Sequence, residues 1–126
     1  MEIDYIALFV KDVYRSYRFY RDVLQFSFTK EIEDGGVEGK SGQITIGLYE
    51  ESWYEKLFHR CLTDQDRSVI FALTIADLDR FYSHLLAQKV TILQPPTIMP
   101  WGQRLCFFAD PDGYIWEGTS LVNPKT

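Results

Sequence analysis

Trp101 to Glu117 reads WGQRLCFFADPDGYIWE. Arg104 to Ala109 is rich in bulky apolar residues and is expected to be a strand. Asp110-Pro111-Asp112-Gly113 is turn chemistry: proline fixes its own φ, aspartate side chains bond back to nearby N–H groups, and glycine accepts φ > 0. Tyr114 to Leu121 resumes as a second strand. Pro100 holds the residue before it extended and marks where this hairpin begins. Glu117 is the single carboxylate of the second strand. It is either a solvated residue on the outer face or a group held in a cavity. Which face of residues 103–109 accompanies it is not fixed by the pattern.

The rest of the chain repeats this theme. Ile3 to Val10 alternates, with Ile6, Leu8 and Val10 on one face and Tyr5, Ala7 and Phe9 on the other, as in a strand covered on both faces. Asp12 is a good helix N-cap, and Val13, Tyr17, Tyr20 and Leu24 follow at helical spacing. Phe26 to Ile32 reads as a strand, Asp34-Gly35-Gly36 as a hairpin turn, and Gln43 to Tyr49 as an alternating strand. Glu50 to Leu62 reads as a short helix or helical linker carrying Trp53, Tyr54, Leu57 and Phe58. The polar run Thr63 to Arg67 is the best boundary. Beyond it Ala7-Leu8 recurs as Ala72-Leu73, Asp12 as Asp77 and Tyr17 as Tyr82, each 65 positions later. Leu78, Phe81, Tyr82 and Leu85 define another amphipathic helix. Thr91 to Leu93 reads as a short strand ended by Pro95-Pro96. The chain is therefore a strand–helix–three-strand unit written twice, over residues 1–62 and 67–122 of a single domain spanning 1–126. Two such units side by side can curve their free sheet faces into a cup.

Composition narrows the functional classes. With 126 residues, 46% hydrophobic and 25% charged, the chain is expected to be globular rather than disordered. A net charge of −5 argues against nucleic acid or an anionic membrane as partner. No window has the apolar length to span a bilayer, and the N-terminus is too acidic for a signal peptide. Cys61 and Cys106 are too few for a disulfide scaffold and read as buried thiols in a reducing cytoplasm. His59 and His84 fall in helical stretches and read as surface residues.

In order along the chain, IALFVKDVYRSYRFYRDVLQF and PWGQRLCFFADPDGYIWE resemble the opening strand and helix and the closing hairpin of the vicinal oxygen chelate superfamily, the glyoxalase, bleomycin-resistance and extradiol-dioxygenase group. The resemblance implies an α+β fold of two βαβββ modules forming a curved mixed sheet around a cup. Gln25 and Lys89 depart from it, standing where glycine usually follows each helix. Metal-dependent members place one ligand on each of four strands. Those positions fall on Tyr5, Gly47, Ile70 and Glu117, of which only Glu117 binds a divalent ion well. Fewer than about three protein donors make no catalytic metal site. The resemblance thus implies no metal and no cofactor here, and resembles the bleomycin-resistance branch.

Strand alternation puts Tyr5, Ala7, Phe9, Thr45, Gly47, Tyr49, Ile70, Ala72, Thr74, Ile115, Glu117 and Thr119 on the faces lining the cup, with Trp53 and Trp101 near its rim. That lining suits an organic ligand, and Gly47 and the alanines are expected to leave it room. The function expected is sequestration of an aromatic or cationic small molecule, as in antibiotic resistance. Tyr5, Phe9, Tyr49, Trp53 and Trp101 would supply aromatic surface and Glu117 would pair with a basic group. The alternative is a lyase or dioxygenase of the same superfamily, metal-dependent or using Glu117 as base and Tyr5 as acid. The resemblance also implies a homodimer, paired side by side or by exchange of halves.

Overall fold

The computed structural model describes residues 1–120; the expected strand end at Leu121 and module end at 122 lie outside them. The described chain separates into two compact units, Met1–Asp66 and one beginning at Arg67.

In the first unit, strand β1 (Tyr5–Val10) leads into helix α1 (Val13–Arg18), which widens into a π-helical turn at Phe19–Val23. Strands β2 (Ser27–Phe28), β3 (Gly36–Ser41) and β4 (Ile44–Glu50) follow, and helix α2 (Glu51–Phe58) ends the series. The sheet order is β1-β4-β3-β2, with β1 parallel to β4 and the other pairs antiparallel. Asp12 caps α1 as expected, its carboxylate accepting from the Arg15 N–H at 3.1 Å. Leu8, Val10, Val37, Ile46 and Leu48 are buried on one side of the sheet together with Val13, Tyr20 and Val23 of the helix. Tyr17 meets Phe28 edge to face at 5.0 Å, which fixes α1 over this face.

One expected strand shortens and one strand forms that was not expected. The one expected over 26–32 shrinks to Ser27–Phe28, because Thr29 to Glu33 is mostly charged and exposed and gives the sheet nothing to bury. Beyond the turn, Gly36–Ser41 is a strand although it has two glycines and little apolar pattern. Its register is its full-length pairing with β4, from Gly36↔Tyr49 to Ser41↔Ile44. Asp34 (φ 52°) and Gly35 (φ 74°) are both left-handed, and Glu33 and Gly36 exchange two backbone bonds of 3.0 Å. This is a type I′ hairpin turn; it closes only the Glu33–Gly36 bridge, and β2 pairs β3 two residues out of that register.

In the second unit, strand β5 (Ile70–Ile75), helix α3 (Leu78–Ala87) and strands β6 (Thr91–Ile98), β7 (Arg104–Ala109) and β8 (Ile115–Ser120) repeat the plan. The order β5-β8-β7-β6 again pairs the first and last strands in parallel. Asp77 caps α3 through the Arg80 N–H at 3.0 Å, as Asp12 does for α1. Phe81 meets Phe108 at 5.7 Å, and Cys106, Phe108 and Trp116 are buried on the α3 side. Phe107 is paired with Glu117, so Leu105, Phe107 and Ala109 share the face opposite α3 with it. Pro95-Pro96 does not end β6, contrary to expectation. β6 is an edge strand, where a missing N–H leaves no ladder bond unmade, and it passes the prolines with two register shifts.

The expected Asp-Pro-Asp-Gly turn is present and strongly bonded. The buried Asp110 side chain accepts from the N–H groups of Asp112 (2.9 Å) and Tyr114 (2.8 Å). Cys61 is exposed rather than buried, because α2 stops at Phe58 and the chain beyond it has left the packed layer. His59 is exposed at the left-handed end of α2, whereas His84 is half-buried on α3 rather than on the surface. Among the described residues no helix is long and apolar enough to cross a membrane.

Candidate functional site

The face of the first sheet turned away from α1 carries Tyr5, Ala7 and Phe9 from β1, Thr45, Gly47 and Tyr49 from β4, and Gly36 and Glu38 from β3, brought level by the register Ala7↔Gly47↔Glu38. A cavity of about 620 Å³ lies over it. Its walls are these strands, the segment Lys30–Asp34 before the hairpin turn, and Trp53 and Leu57 of α2. The volume suits a small organic molecule.

Four of the six expected ligand residues, Tyr5, Phe9, Tyr49 and Trp53, line this one cavity. Phe9 lies 6.2 Å from Tyr49 and 5.2 Å from Tyr54, so its ring is held between a neighbour strand and α2. Trp53 donates its indole N–H to the Asp34 carbonyl at 2.8 Å. That bond ties α2 to the hairpin turn and sets the indole as one wall. The Lys56 ammonium lies 4.7 Å from the centre of the same ring.

At the floor, Tyr5 and Tyr49 are hydrogen-bonded through their hydroxyls, and the Glu38 carboxylate lies close enough to Tyr5 to act on its phenol. Burial above all, and then Tyr49 and Glu38, raise the Tyr5 phenol well above the usual tyrosine range. Gly47 makes this cluster possible. A Cβ there would lie 2.6 Å from the Tyr49 ring and 2.8 Å from Tyr5 Cζ. The room expected above Gly47 is therefore filled by the two tyrosines, and the cavity opens beside them toward the Lys30–Asp34 segment.

The carboxylates around this cavity are Glu31, Glu33, Asp34 and Glu38, with the cation Lys30 in its lining and Lys56 against the Trp53 ring. None of them was expected at the site: Asp34 was read only as a turn residue. Glu31 sits in the segment that reads as strand, Glu33 between that segment and the turn, and Glu38 in a strand the pattern does not delimit. The one available signal was the run of acids flanking Asp34-Gly35, in a chain otherwise of mixed charge.

Glu117 and Trp101 belong to the second unit. Glu117 is half-buried on the face opposite α3, accepts from the Thr119 hydroxyl, and is level with Ala72 and Phe107. Burial raises the Cys106 thiol above its usual range, so it is held as a neutral packing group. Trp101 stands 69% exposed in the loop between β6 and β7, its indole N–H directed to the Gln103 side chain at 3.3 Å.

The strand registers also test the metal positions. Gly47 is opposite Ala7, and Glu117 is opposite Ala72, the repeat mate of Ala7. The two positions are thus equivalent within their units. Their chemistry does not fit a metal: Gly47 and Ile70 have no donor atom, and the Tyr5 phenol keeps its proton. Among the described residues no group of three or more His, Cys, Asp or Glu side chains is placed to hold an ion.

Solved structures share this fold. A glyoxalase/bleomycin resistance protein/dioxygenase superfamily member from Sphaerobacter thermophilus is 27% identical, with 96% of this chain and 98% of that one covered, at a TM-score of 0.74. A protein of unknown function from Agrobacterium tumefaciens is 26% identical, with 97% and 95% covered, at 0.78. Hypothetical protein SA1046 from S. aureus, at 22% identity with 95% and 93% covered, aligns at 0.81. No curated protein matches the chain in sequence. The family model for the Glyoxalase/Bleomycin resistance protein/Dioxygenase superfamily matches residues 2–117, so by sequence and by fold the chain belongs to that superfamily.

Proposed function

We propose that the protein binds a small aromatic organic molecule in the cavity of its first unit, holds it without a metal or cofactor, and does so as a homodimer. The observation that carries this reading is the gathering of Tyr5, Phe9, Tyr49 and Trp53 around one volume of about 620 Å³. Aromatic walls contribute about 0.5–1.5 kcal/mol per ring pair beyond burial, so a flat ligand gains from each ring it touches. The Tyr5 phenol is held protonated and bonded to Tyr49, which supports binding over proton transfer as the role of this floor. Antibiotic sequestration is one biological use of such a pocket.

A thermal-shift screen with flat aromatic compounds, intercalating antibiotics included, tests the reading, because a ligand that binds only the native state raises the melting temperature. Upward shifts are expected for compounds that fill the cavity, reduced by Phe9→Ala. No shift from any aromatic compound would overturn it. Elemental analysis of protein purified without chelator supplies the second arm, where stoichiometric metal would point to the lyase or dioxygenase alternative.

A further inference from the structure

From the way Tyr49 is seated on its sheet, we infer that its ring is the stacking platform of the cavity, and that the site selects a planar ring system over a saturated one of the same size. The inference rests on the proposed aromatic-binding role and narrows its ligand to flat, ring-containing compounds.

Side chains of a strand ordinarily stand up from the sheet, roughly perpendicular to it. Tyr49 is released from this because two neighbours on its own face lack a side chain. Gly36 is level with it on β3, and Gly47 precedes it on β4. Opposite corners of the ring, Cδ1 and Cε2, lie 2.7 Å and 2.6 Å from where the Cβ atoms of Gly36 and Gly47 would be. A Cβ and a ring carbon cannot approach so closely. The ring therefore occupies the space of both missing side chains and lies down along the sheet across the two glycines. Its hydroxyl is pinned in this pose by the bond to the Tyr5 hydroxyl, whichever of the two donates. A ring lying down gives one face to the sheet and the other to the cavity it lines. Phe9 stands beside it, 6.2 Å away and tilted by 37°. Offset stacking on the open face needs a flat partner; a puckered ring touches it through a few hydrogens and gains burial alone. The second unit supplies an internal control. By strand register, Leu105, Glu117 and Thr119 occupy the positions that Gly36, Gly47 and Tyr49 hold in the first. Two side chains stand there where the first unit has none, and no ring is present to lie down. The platform is thus an addition to one unit and not part of the repeated plan, as expected of a ligand site built on a duplicated scaffold.

2-Naphthalenemethanol and its decahydro analogue isolate the claim. They share a carbon skeleton and a neutral hydroxymethyl head, and the saturated compound is the more apolar, so burial alone favours it. Dissociation constants measured by calorimetry on the intact protein are expected to favour the planar compound by about three-fold or more. Its ring protons are expected to move upfield in NMR spectra on binding, which marks contact with the face of an aromatic ring; contact with an edge moves them downfield. Tyr49→Leu is expected to remove the preference and most of the upfield shift. Tyr49→Phe keeps the ring and is expected to retain both, and Gly36→Ala, whose methyl would lift the ring, to reduce both. Each variant's melting temperature verifies that it folds. Equal or tighter binding of the decahydro compound to the parent chain would overturn planar selection while leaving an apolar cavity standing. A preference that survives Tyr49→Leu would overturn Tyr49 as the platform. Binding of neither compound would overturn the aromatic-binding reading together with this one.

Discussion

A methyl group on Gly47 has no place to go. It would lie 2.6 Å from the Tyr49 ring and 2.8 Å from Tyr5, and Gly36 on the other side of Tyr49 is as close, at 2.7 Å. Tyr49 lies against Phe9 and is bonded to Tyr5 through the hydroxyls, so moving either ring aside breaks a contact. Gly47→Ala is predicted to destabilise the protein by about 1–3 kcal/mol, the cost of overpacking a filled site, as read by urea unfolding. Tyr5 makes a pH prediction at the same scale. Its folded-state phenol titrates above the ordinary value near 10, through burial first and Tyr49 and Glu38 next. Its contribution to stability is therefore whole below about pH 10 and is lost as the pH rises past that value. Comparing unfolding at about pH 8 and about pH 11, Tyr5→Phe is predicted to lose less stability than the parent chain. An equal loss in both would remove Tyr5 from the alkaline transition. That Tyr5, Phe9 and Tyr49 share a face was legible from alternation alone. That Tyr5 and Tyr49 join hydroxyls over Gly47 was not, because alternation gives a side chain's face and says nothing of how far it reaches.

Helix ends and turns are where local chemistry wrote the structure most plainly. Asp12 and Asp77 each accept a bond from the N–H three residues on, as their spacing ahead of the helices implied. Gln25 (φ 59°) and Lys89 (φ 57°) do adopt the left-handed conformation that glycine would supply at those ends. After α3 the geometry is a Schellman motif, with Val90 N–H to the Leu85 carbonyl and Lys89 N–H to the Leu86 carbonyl, both 3.1 Å. A side chain there costs about 1–2 kcal/mol relative to the right-handed region. Lys89→Gly is accordingly predicted to raise stability by about 1 kcal/mol, net of the entropy glycine loses on folding. Asp110 is the opposite case. It is buried and accepts two backbone N–H bonds, so Asp110→Ala is predicted to cost about 2–3 kcal/mol and Asp110→Asn less, since the amide oxygen still accepts. Equal losses from both substitutions in chemical denaturation would contradict the assignment. Strand limits were harder to read. β6 passes two prolines because it is an edge, and edge position is a property of the sheet, invisible in the strand's own residues. β3 holds its register through its full-length pairing with β4 rather than through an apolar pattern of its own.

At the scale of the molecule, the duplication was legible because each unit spends its apolar residues in the same way: a parallel first-and-last strand pair, a helix over one face, and an Asp cap at a fixed offset. The binding chemistry was only half legible. The aromatic walls came through, but the acids that matter to the cavity lie in a charged connector and a glycine-containing strand. Glu117, the acid most conspicuous in the sequence, sits in the second unit beside Thr119. Homodimerisation is predicted to appear in sedimentation at micromolar concentration as a species of two chains, and a monomer would contradict it. The central claim is that the first unit's cavity receives the ligand. It is tested most directly by following the three tryptophan indole N–H signals by NMR while titrating an aromatic compound that raises the melting temperature. The account predicts that the Trp53 signal shifts in a saturable way while that of the buried Trp116 stays in place. Shifts confined to Trp101 or Trp116, or no shift at all, would contradict it.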